Sequence, residues 1–207
     1  MRRSTALALI TPALAVALGL TGCSSSEQAT PAATTAASSA PAASEDAVQS
    51  KLAQLDLDGK DVVTVINSLD QTQEDKKIDL NGSVRQDELL LTSGEDKSTE
   101  TSIPMPKDKT YVSVAPYVDK THECFAHHLT GCQGEQVGKD FQVTFTDAQG
   151  KKIIDEKATT YDNGFLGFWV PRDVKGTLII SGEQGKGSIP LSTAADAPTC
   201  ITTLQLA

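Results

Sequence analysis

Apolar residues follow a helical period early in this chain and a period of two later on. Within residues 45–55, Val48, Leu52 and Leu55 fall on one helix face, with Glu45 and Asp46 in the first turn. Asp58, Gly59 and Lys60 break the pattern. Val62, Val65, Ile66 and Leu69 then form a second stripe over residues 61–69, although the β-branched residues there also suit a strand.

After Ile78 the apolar spacing shortens. Residues 88–92 read as a first strand and 110–118 as another. Residues 141–146 alternate apolar and polar, 147–150 supply a turn, and 152–156 a returning strand. Asp162, Asn163 and Gly164 signal a turn before the apolar run 165–170. Runs 177–181 and 187–191 flank a Gly-rich turn, and 199–206 ends the chain as a strand. The pattern predicts an α+β chain: a small helical region over 45–86, then an antiparallel β sandwich or barrel-like domain over 87–207. Phe165, Phe168 and Trp169 read as core.

The first 44 residues belong to neither pattern. Arg2 and Arg3 precede an apolar run from residue 6 to 20, interrupted by Pro12. It is short for a membrane-spanning helix and fits a secretory signal over 1–22. The run ends Leu20, Thr21, Gly22, Cys23, which resembles a bacterial lipobox and makes Cys23 the expected lipidation site. Residues 24–44 are almost all Ser, Ala, Thr and Pro, a composition too poor in apolar surface to fold, and read as a tether. The expected location is the outer face of the cytoplasmic membrane, held by lipid.

Charge narrows the partners. Loss of Arg2 and Arg3 takes the 18 basic residues to 16 against 27 acidic ones, a formal charge of −11 for the processed chain. This excludes nucleic acid as a natural partner. It also leaves lipid attachment, not electrostatics, to hold the protein at a membrane.

The chemistry is concentrated in one segment. All 3 histidines and two of the 4 cysteines lie within residues 122–132: His122, Cys124, His127, His128 and Cys132. Cys200 is a distant third sulfur. Thiolates and imidazoles suit Cu(I) or zinc, and the spacing falls short of the two separated ligand pairs of a structural zinc site. Outside the cytoplasm, cysteines tend to oxidise, so a Cys124–Cys132 disulfide with a spare Cys200 is the plain alternative. Pro116, Gly131 and Gly134 punctuate the segment and predict a loop. With every histidine in one cluster, no separate Ser-His-Asp arrangement can be assembled, and no Gly-rich phosphate loop is present.

Several motifs carry a family resemblance. Residues 115–118, 122–124, 129–132 and 134–135 resemble the CueP family of cell-envelope copper-binding proteins. So do 83–85 with 87–89, 162–165 with Gly167 and Trp169, and 198–200 with 202–204. The resemblance implies copper binding and copper tolerance, with Cys124, Cys132, Cys200, His122 and His127 as the binding group and His128 as a neighbouring donor. A copper-sequestering protein can also pass its ion to a copper-accepting protein, the further partner expected beside copper itself. The competing reading is a thiol-redox protein that reduces a metal ion or a disulfide through Cys124 and Cys132.

Overall fold

The computed structural model describes residues 40–72, 79–94 and 100–207. The expected signal peptide, the lipidation site Cys23 and most of the tether lie outside those residues. Helix α1 (Ala40–Gln54) begins before the expected start at 45, inside the segment read as tether. Alanine favours helix strongly, and Pro41 sits in the first turn, where a missing N–H costs nothing. Its Val48 and Leu52 are buried.

Helix α2 (Val62–Asp70) resolves the helix-or-strand ambiguity of its sequence. Asp61 caps it: the carboxylate accepts from the N–H groups of Val63 and Thr64 at 3.0 and 3.1 Å. Such a cap contributes about 1 kcal/mol. The predicted stripe of Val62, Val65, Ile66 and Leu69 is buried, and Asp70 is buried with it.

Both helices pack on a four-stranded sheet. Its strands are β1 (Leu80–Val84), β2 (Glu88–Ser93), β3 (Thr101–Pro104) and the two-residue β5 (His127–His128), in the order β3-β2-β1-β5. Their shared core holds Val48, Leu52, Ile66, Leu69, Leu91 and Leu129, among others. Strands β1 and β3 were not expected. In β1, Gly82 stands where an apolar residue would complete the alternation; a Cβ there would crowd the side chains of Leu129 and Leu91 at 3.0 and 3.3 Å. Strand β3 is an edge with one large apolar residue, Ile103.

A second core lies among β4 (Lys109–Val114), β6 (Asp140–Asp147), β7 (Lys152–Thr159), β8 (Leu166–Pro171), β9 (Lys175–Gly182) and β10 (Gly185–Ser192). Strands β10-β9-β6-β7 form one antiparallel sheet. A third sheet runs β11-β4-β8, where β11 is only Cys200–Ile201. The predicted strands of this half are therefore present, but 199–206 is not one strand. After Ile201 it makes only an isolated bridge, Gln205 to Tyr117. The three sheets do not close into a barrel.

Two features of this fold place the functional segment. Strand β11 runs parallel to β4 with Cys200 opposite Ser113. Gly134 and Gly164 pass with their backbones in contact, and Gly134 N–H donates to Asn163 C=O at 2.6 Å. A side chain at 164 would strike the Gly134 backbone, and Gly164 has φ +76°, which disfavours any L side chain. Gly164→Ala is expected to destabilise the protein by roughly 2–4 kcal/mol, from strain plus overpacking. Urea unfolding measures it; a loss under 0.5 kcal/mol would show that this crossing is not tight.

Candidate metal centre

The segment from Val118 to Lys139 is loop, broken only by β5, so the predicted loop contains one short strand. That strand sets the directions of two histidines. His127 pairs with Val84 and His128 with Ser83, and alternate residues face opposite sides of the sheet. His127 is fully buried; His128 is exposed on the polar side, in a cleft with Asn81, Ser83 and Arg85.

Thr199 ties this loop to the C-terminal strand. Its hydroxyl accepts from His127 N–H at 3.0 Å and donates to Val84 C=O at 2.6 Å. Phe125 C=O accepts from both Thr199 N–H and Cys200 N–H, at 2.9 and 3.1 Å. These bonds carry Cys200 across 76 positions of sequence to Cys124, and the two form a disulfide. The alternative pairing of Cys124 with Cys132 is thus replaced by Cys124 with Cys200. The β11–β4 register delivers Cys200 directly to the loop, which sequence separation alone conceals.

Cys132 keeps a free, buried thiol, 3.6 Å from the Cys124 sulfur. Its sulfur accepts from His128 N–H at 3.4 Å, and its own N–H donates to His128 C=O at 3.0 Å. Cys132, Cys200, Ala115 and Phe165 form a small buried cluster of their own, with the half-buried Cys124 packed against it.

Two donor groups overlap there. Ligand atoms of His122, Cys124 and Cys132 lie within 4.8 Å of one another, as do those of His127, Cys132 and Cys200. Cys132 belongs to both. The first group reaches the surface: His122 is exposed and Cys124 half-buried, beside an open cleft of ≈ 380 Å³ that includes Tyr117 and Thr121. The second is buried throughout. Among the described residues, neither group includes His128.

Behind the buried group stands Asp70, the last residue of α2. Its Oδ1 receives His127 Nε2 at 2.8 Å and Asn163 Nδ2 at 2.7 Å. Its Oδ2 receives the Tyr111 hydroxyl at 2.6 Å and the Ser113 hydroxyl at 3.3 Å. Burial opposes the charge on Asp70, but the His127 charge and these hydrogen bonds outweigh it and hold the carboxyl below its ordinary value. Burial likewise opposes charging the His127 ring. The Asp70 charge and hydrogen bond overcome it, with a smaller push from Cys132, and raise the ring from 6.5 to about 9. Burial, then the Asp70 charge, push Tyr111 well above 10.0. Phe165 flanks the His127 ring at 4.6 Å between centroids, so this aromatic lines the site as well as the core.

Asp70 was not singled out in the sequence. It sits four residues after Ile66, on the apolar stripe of α2, and a carboxylate in that position was the available signal. Asn163 carries a turn signal in the sequence and lies in the 162–165 stretch of the family resemblance. It does make the turn, its Oδ1 accepting from Phe165 N–H at 2.9 Å, while its amide donates to Asp70.

Stability should follow this ion pair. His127 holds its proton more tightly when folded, so its contribution is complete below about 6.5 and is lost as pH rises through about 9. Asp70 is lowered, so its contribution is complete above 3.8 and is lost as pH falls below that. The metal-free oxidised protein should therefore lose on the order of 3 kcal/mol between pH 6.5 and pH 9.5. Urea midpoints across that range test this, and a flat profile would contradict the assignment of a charged pair.

The comparisons with known proteins point to one chemistry. The family model described as "Periplasmic copper-binding protein CueP" matches residues 64–205. A solved structure, "Crystal Structure of S.CueP", is similar at 38% sequence identity, with a TM-score of 0.71. The match covers 77% of this chain and 96% of that one. The curated proteins include no match.

Proposed function

This chain belongs to the CueP family of periplasmic copper-binding proteins, and from that premise we propose that it sequesters copper as Cu(I). The observation that carries the reading is the convergence of Cys124, Cys132 and Cys200 with a buried imidazole. Copper is cargo here. Three soft sulfurs and an imidazole nitrogen that releases its proton as the ion binds match Cu(I), which accepts low coordination numbers; zinc, the other candidate, favours four fixed ligands. The buried His127 Nδ1 supports the fit, since it has no hydrogen-bond partner among the described residues although it is a polar atom inside the protein. Two-electron reduction of the Cys124–Cys200 bridge by an external dithiol, which ends as a disulfide itself, would free the two further thiols that the site needs. His122, exposed at the cleft, serves as a first contact for the incoming ion.

Sequestration of this kind supports copper tolerance, and transfer to a copper-accepting protein would pass through the same cleft. Anchoring is a separate part of the reading, carried by Leu20, Thr21, Gly22 and Cys23. A diacylglyceryl group supplies the two acyl chains that stable attachment requires. Mass spectrometry of the native protein should find lipid on residue 23. A soluble protein with unmodified Cys23 rules the anchor out.

A redox reading competes because the half-buried disulfide lies 3.6 Å from a free thiol. In it, the thiols of the reduced protein give electrons to Cu(II) and end as a disulfide. Anaerobic competition against a Cu(I) chelator, with thiols counted before and after, separates the two. Sequestration predicts one Cu(I) per chain with three thiols retained on release. Each of Cys124→Ser, Cys132→Ser and Cys200→Ser should weaken binding more than His122→Ala. Wild-type affinity in Cys200→Ser refutes the three-sulfur site, and stoichiometric thiol loss on addition of Cu(II) favours the redox reading.

A further inference from the structure

Asp70 does more than neutralise a buried ring. Its two oxygens are held by four donors from separate parts of the fold: His127 on β5, Tyr111 and Ser113 on β4, and Asn163 in the turn before β8. A carboxylate gripped on both oxygens cannot rotate away from the ring. Its Oδ1 already accepts from the Asn163 amide, which can only donate, so that oxygen is an acceptor and the His127 Nε2 is the donor in their 2.8 Å contact. That leaves Nδ1, once its own proton is released to solvent on binding, as the nitrogen for a ligand. This atom is buried, has no hydrogen-bond partner among the described residues, and belongs to a ring whose ligand atom lies within 4.8 Å of the Cys132 and Cys200 sulfurs. Phe165 against the ring restricts its rotation from the side.

We propose that Asp70 is a positioning residue for copper. It fixes His127 with Nε2–H toward the helix, so that Nδ1 is presented to the sulfurs of Cys132 and Cys200. The inference rests on the copper reading above, but concerns which nitrogen binds and what selects it. A metal-bound histidine commonly gives its second ring N–H to a carboxylate, and loss of that partner typically weakens metal binding 10–100-fold. Here the carboxylate comes from a helix some 57 positions earlier in the chain, which couples the helical face of the protein to the sulfur cluster.

The test uses the reduced full-length chain and Cu(I), which is diamagnetic. Nitrogen-15 correlation spectra of the wild type, with and without Cu(I), should show the His127 Nε2–H retained on loading while the Nδ1 signal moves. If Nε2 is the metallated nitrogen, or if neither ring signal of His127 moves, the proposal is overturned; no variant has to fold for this result. Asp70→Asn and Tyr111→Phe each remove one feature of the same buried network. Asp70→Asn should weaken Cu(I) binding by about 10–100-fold, whereas Tyr111→Phe, which leaves the ring contact intact, should change it less than about 3-fold. Equal losses in both variants would mean general loosening of the site and would reject a positioning role. If the wild type itself binds no Cu(I), the copper reading fails instead, and the two failures are distinguishable.

Discussion

A single buried carboxylate organises the half of this protein that carries the chemistry. Placing an unpaired Asp in a protein interior costs several kcal/mol, and the group would otherwise take up a proton. The fold avoids this by converging four donors on Asp70 from one short strand, one long strand and one turn. Satisfying that charge therefore constrains the relative positions of α2, β4, β5 and the 161–165 turn. The constraint is directional, because each oxygen takes two donors, and so it fixes the orientation of His127 as well as its place.

The sulfur cluster is assembled on the other side of that ring by backbone bonds. Thr199 joins β1, β5 and β11 through its hydroxyl, and Phe125 C=O gathers the N–H groups of Thr199 and Cys200. Cys132 is placed by the turn after β5, whose amides and carbonyls bond across from residue 128 to 132. The crossing of Gly134 and Gly164 then seals the loop against the Asn163 turn. Each sulfur thus arrives by a different local rule. The disulfide between Cys124 and Cys200 gives the cluster an oxidised form in which two of its three thiols are engaged. On the proposed copper reading, capacity and redox state are linked, since the same sulfurs would serve both.

The sequence disclosed the elements with strong periods and missed those whose signal is tertiary. Helix α2 and strands β6, β7 and β9 carry clear apolar spacing and were found. Strand β1 escaped because Gly82 interrupts its alternation for the sake of Leu129, and β3 because an edge strand needs few apolar residues. The donor residues were visible as a cluster of uncommon types, with Cys200 a distant third candidate that the family resemblance also groups with them. The pairing of Cys124 was not visible, because it depends on the parallel register of β11 on β4. Burial separates His127 from His128, adjacent in sequence and alike in composition, and only strand alternation assigns one to the sulfurs and the other to the polar cleft. Asp70 was overlooked because a lone carboxylate at a helix end usually faces solvent.

The central claim is that copper lies among sulfurs, with one buried imidazole beside them. X-ray absorption at the copper edge of the reduced, Cu(I)-loaded protein addresses it most directly. The account predicts a first shell with at least two sulfur scatterers at about 2.2–2.3 Å, close to the metal–thiolate length known for zinc, together with the outer-shell signature of a single imidazole. A first shell made only of nitrogen and oxygen near 2.0 Å would place the metal away from Cys124, Cys132 and Cys200 and would contradict the account.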